Sequence, residues 1–237
     1  MQPGHHYGYL QPDISAEYFL LRHWGAQGGK LKHSTRKLLQ AAYQLSPDDT
    51  RAFIARSAVD FAEDETAWQW WRYLSENAPA DTVAFYEMAF SVTGQLCLRG
   101  KYNIAKERWL SQLCESEDPQ LRARALNLHG LMNIHLSNFE TALDYLKKSL
   151  AIQQEIGDKA GLCATLFNIG HIHLQNGEVP DALKAWITVY GIAKKIHLAQ
   201  ALQALESLAD NLGLPGGLDG WETLAGKLDK PGPPDQP

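Results

Sequence analysis

Ser137-Asn138-Phe139-Glu140-Thr141-Ala142 has the form of a corner between two helices. Its first residue is small, as a sharp turn with positive φ requires. Its third is apolar and plugs the corner. Glu140 brings negative charge to the start of the following helix, where the dipole favours it. Ala142 is small, so the two helices can approach closely. Leu146, one turn further on, shares a face with Ala142.

The same form recurs along the chain. Gly177-Glu178-Val179-Pro180-Asp181-Ala182 repeats it, with Pro180 suited to a first helical turn and Trp186 in the bulky position. Further copies begin at Gly29, Ala62, Gly100 and Gly216. The small first residues at 29, 62, 100, 137, 177 and 216 are spaced by 33, 38, 37, 40 and 39. The bulky residues after the corners are Leu38, Trp71, Trp109, Leu146 and Trp186. In the last copy Trp221 takes the small position and Ala225 the bulky one, as expected of an atypical terminal cap.

Upstream of the two best corners lie the helical stretches 123–136 and 163–175. Their apolar residues fall at three-and-four spacing: Leu126, Gly130 and Ile134 in one, Leu166, Ile169, Gly170 and Leu174 in the other. The unit is helix–turn–helix, repeated, with no strand signal. The Leu126, Gly130, Phe139, Ala142 and Leu146 pattern through Ser149–Asp158 resembles the tetratricopeptide repeat. Leu166–Gly170 through Ala182 and Trp186 resembles it equally. The 40-residue spacing is similar to the longer variety found in kinesin light chains.

This resemblance implies an all-α fold, a right-handed superhelical solenoid of helix–turn–helix repeats. It also implies function through binding another protein or peptide. The first helix of each repeat is expected to line a concave groove. Aligned on Gly130 and Gly170, the implied groove positions are Arg124, Asn127, Leu131, Ile134 and His135. In the next repeat they are Ala164, Phe167, His171, Leu174 and Gln175, with Asn168 beside them. Amides, a histidine and apolar side chains suit an extended peptide or a helix. A chaperone-tail carboxylate clamp is not expected, because only Arg124 falls on a clamp position. An adaptor is the favoured reading. A sensor subunit that changes shape on binding and controls a separate effector is the alternative.

Composition narrows the field. Hydrophobic residues make up 45% and charged residues 21%, enough apolar content for most of the 237 residues to fold. A net charge of −5 argues against a phosphate-neutralising, nucleic-acid-binding surface. No apolar run approaches membrane-spanning length, and Met1–His6 lacks the order of a signal peptide. Three cysteines, Cys97, Cys114 and Cys163, fit no zinc spacing and suit reduced, buried thiols in the cytoplasm. His129, His135, His171 and His173 lack ligand spacing. No nucleophile elbow, P-loop or paired-carboxylate motif occurs, so no enzyme, metal or cofactor is expected.

The expected organisation is an extended arm (1–13), degenerate hairpins (14–120), clear repeats (121–212), a closing helix (213–229) and a disordered tail (230–237). Ser46-Pro47-Asp48 reads as a helix start and Ala78-Pro79 as a break. Trp68-Gln69-Trp70-Trp71 reads as aromatic packing between repeats, or as an exposed anchor for a partner or a second copy. Self-association is left open.

Overall fold

A computed structural model describes residues 31–78 and 81–228. The expected arm and tail, residues 14–30, Pro79 and the start of the first corner lie outside these residues. Every described element is a helix, and neighbouring helices pack in chain order.

Among the described residues, five helices precede residue 115. They are α1 (His33–Leu45), α2 (Pro47–Asp60), α3 (Thr66–Asn77), α4 (Thr82–Leu98) and α5. Helix α5 is composite: a turn over Tyr102–Ile104, a π-helical stretch over Ala105–Leu110, and a last turn over Ser111–Cys114. Ser46 precedes Pro47 at the start of α2, as the sequence signals. Six more helices follow among the described residues: α6 (Pro119–His135), α7 (Phe139–Ile156), α8 (Lys159–Gln175), α9 (Val179–Ile196), α10 (Ala199–Leu212) and α11 (Leu218–Leu228). The chain divides between Leu113 and Cys114, at the end of α5, into two separate contact units.

The corners are built as the sequence requires. Gly100, Ser137 and Gly177 adopt φ of 71°, 59° and 79°. Gly157 and His197, between hairpins, end α7 and α9 in the left-handed region, and Gly213 ends α10 in the same way. Helices α6 and α8 start about a turn earlier than the apolar pattern suggests. Asp118 accepts from the Gln120 and Leu121 amides, and Asp158 accepts from the Gly161 amide, which fixes both starts. Val179 departs from the corner rule: it is 47% exposed and plugs nothing.

The small-then-bulky rule describes the core. Ala67 and Trp71, Ala105 and Trp109, Ala142 and Leu146, and Ala182 and Trp186 are all buried. The first copy is shifted by one residue. Leu38 is 40% exposed, while Thr35 and Leu39 are the buried pair of α1. Trp221 is fully buried, with its ring edge-on to Trp186 at 6.2 Å.

Two glycines make room for the bulky residues of the opposite helix. A Cβ on Gly130 would lie 2.5 Å from Leu146 Cγ, and one on Gly170 would lie 2.4 Å from Trp186 Nε1. The bulky residue of each second helix therefore rests directly on the backbone of the first. Trp186 also donates to the Phe167 carbonyl at 3.2 Å, and Trp221 donates to the Leu205 carbonyl at 2.8 Å.

The tryptophan run is largely a packing element. Trp70, Trp71 and Leu74 are buried, and Trp71 Nε1 donates to the Phe85 carbonyl. Trp68 is half-buried and donates to the Arg108 carbonyl at 2.5 Å. These contacts account for the run without an exposed anchor.

Candidate functional site

The two glycine-seated hairpins place α6, α8 and α10 as successive first helices. Their starts, Pro119, Lys159 and Ala199, are 40 residues apart. An open recess of about 370 Å³ lies along them. Helix α6 contributes Asn127 and Leu131. Helix α8 contributes Ala160, Cys163, Ala164, Phe167 and Asn168. Helix α10 and its cap contribute Leu198, Gln200, Ala201 and Ala204, and Val189 of α9 reaches the recess from behind.

One polar pair crosses this surface. Asn168 Nδ2 donates to Asn127 Oδ1 at 3.2 Å, which joins adjacent first helices through their side chains. Each amide has further bonding capacity: a carbonyl oxygen on Asn168 and an amino group on Asn127. Both residues are half-buried, so neither amide is locked into the core.

Of the implied groove positions, the structure brings Asn127, Leu131, Ala164, Phe167 and Asn168 into this recess. The others lie elsewhere. Ile134 packs against the cluster of Ala142, Leu146, Ile169 and Ile172. Leu174 packs against the cluster around Trp186. Arg124, His135 and Gln175 are exposed and do not line the recess. His171 is wedged edge-on between Phe167 at 4.8 Å and Trp186 at 5.4 Å. Burial there pushes its pKa below the usual histidine value, because the charged form loses its hydration.

The α10 side of the recess is the part that the sequence pattern missed. Its signal was present, since Ala204 lies 40 residues after Ala164. The surrounding residues of α10 simply carry no repeat signature of their own.

Among the described residues, His129, His173 and the three cysteines are packing or surface groups. His129 is buried and stacks on Tyr145 at 3.9 Å, with Asn133 bonded to its ring and carbonyl. His173 bonds Glu178 across the corner at 2.5 Å. Burial raises all three thiol pKa values, that of Cys114 to about 11, so none is poised as a thiolate. Among the described residues, no group of three histidine, cysteine or acidic side chains could hold a metal ion. None of the described helices is long and apolar enough to cross a membrane.

Residues 121–195 match the family model of the tetratricopeptide repeat, a span that covers α6 to α9. No curated protein matches the chain.

Proposed function

We propose that this chain, which contains tetratricopeptide repeats, is a cytoplasmic adaptor that holds a partner protein or peptide in the recess of α6, α8 and α10. The family serves in general as a scaffold for protein–protein interaction. The observation that carries the reading is the Asn127–Asn168 pair within an open, uncharged and mostly apolar recess. An amide pair of this kind can accept from a peptide N–H and donate to a peptide carbonyl, while the walls take up side chains. The adaptor performs no chemistry. Its affinity comes from a few anchors in the recess rather than from the whole face.

The test is capture from native cell extract on immobilised protein, comparing wild type with Asn127→Ala/Asn168→Ala. His171 is left intact, because its contacts with Trp186 belong to the core. A partner recovered by wild type and lost by the variant, with unchanged helical circular dichroism, supports the reading. An identical catch from both places the site elsewhere.

A further inference from the structure

We propose that the recess is an anchor pocket for one bulky, uncharged apolar side chain of the partner and that it discriminates against charged ones. This rests on the recess being the partner site and adds the chemistry of what enters it.

The lining carries the argument. None of its twelve residues is Asp, Glu, Lys, Arg or His. The floor is Cys163 and Val189, both buried, and the walls are Leu131, Phe167 and Leu198. The volume arises because the residues facing across α8 and α10 are small: Ala160, Ala164, Ala201 and Ala204. A leucine, methionine or phenylalanine entering it exchanges water for apolar contacts on several sides. A carboxylate or ammonium would lose hydration and find no opposite charge in the lining. The asparagine pair at the rim meets the backbone beside the anchor, which needs polar but uncharged partners.

The chain does not keep charge off every such surface. The cleft between α2 and α4, of about 340 Å³, is lined by Arg56, Asp60 and Arg99 among others. Arg99 there pairs with Asp60 at 3.1 Å. The uncharged lining of the α6–α8–α10 recess is thus a local feature and not a consequence of overall composition.

The experiment titrates the full-length ¹⁵N-labelled protein with four blocked amino acids. They are the N-acetyl methylamides of phenylalanine, leucine, aspartate and lysine. The side-chain amide signals of Asn127 and Asn168 are followed. The phenylalanine and leucine probes are expected to shift both signals and to bind at least about fivefold more tightly than the charged probes. Ala201→Leu, on the half-exposed face of α10, fills the recess and is expected to abolish those shifts with the helical signal unchanged.

A charged probe that binds as well as phenylalanine overturns the inference. So does a complete absence of shifts, or undiminished binding by Ala201→Leu. Failure here is separable from failure of the adaptor reading. If capture of the partner depends on Asn127 and Asn168 while the charged probe wins, the recess remains the site and only its anchor chemistry is wrong.

Discussion

In the α8–α9 hairpin a bare glycine, Gly170, lies beneath Trp186. In the α4–α5 hairpin the residue at the same place, twelve before the small alanine, is Thr93. It is fully buried, with its hydroxyl donating to the Ala89 carbonyl. The opposing helix also differs. Trp109 sits in the π-helical stretch Ala105–Leu110, whereas α9 is regular around Trp186. Both tryptophans are 1% exposed, so both hairpins achieve closure. What differs is how room is made: by removing a side chain in one, and alongside a change of helical winding in the other. Two hairpins with equal burial can therefore differ in how much sequence pattern they retain.

The largest effect expected from this comparison is at Trp186 itself. Trp186→Ala should cost about 3–5 kcal/mol in urea unfolding, because the ring fills the space between helices. A loss below about 1 kcal/mol would mean that the glycine-seated ring does not hold the hairpin together.

Next comes a substitution expected to change sign between the two hairpins. Gly170→Ala should cost about 1–3 kcal/mol through overpacking against the indole. Gly94→Ala, in α4 with nothing within 4 Å of the added carbon, should stabilise by about 0.5–1 kcal/mol through helix propensity. Parallel denaturant titrations check both. If the two variants move in the same direction, the contrast drawn from the Cβ geometry fails.

Comparable gains are expected at two turns where a residue other than glycine takes a positive φ. Ser137 and His197 adopt φ of 59° and 56°, where a side chain is strained. Ser137→Gly and His197→Gly should each raise stability by about 0.5–1 kcal/mol, the relieved strain offset by the extra freedom of the unfolded glycine. Thermal melts of the single variants test this.

The smallest effect concerns pH. Burial lowers the pKa of His171 in the folded chain, so the unfolded chain binds its proton first as pH falls. Its contribution is fully present above the ordinary histidine pKa and is lost as pH drops through it towards the depressed folded value. His171→Gln should narrow the difference between urea midpoints at pH 7.5 and pH 5. An unchanged difference would assign the pH dependence to other groups.

The same contrast explains what could be read from the amino-acid order. The corners, the small-then-bulky pairs and the hairpin unit were legible because steric demands act within a few residues. Gly100, Ala142 and Trp186 each answer a local requirement. The early starts of α6 and α8 were less visible, because the caps Asp118 and Asp158 lie outside the apolar pattern. Leu38 was placed one residue out, since Ser34 and Thr35 are both small and only packing chooses between them. Among the groove positions, Asn127 and Asn168 line the recess, whereas Ile134 and His171 pack against neighbouring core side chains. Which side of a first helix faces the recess depends on how neighbouring hairpins stack, and repeat spacing alone does not encode that rotation.

The indole hydrogens of Trp186 and Trp221 each bridge from a second helix to a carbonyl of the first helix in the same hairpin, Phe167 and Leu205. Each is thus a clock for one hairpin alone, readable by hydrogen–deuterium exchange at a resolved side-chain signal. Helical arrays open in units rather than all at once. If the terminal hairpin frays first, the Trp221 hydrogen will exchange while that of Trp186 is still protected, so the order of unravelling can be timed without adding a label.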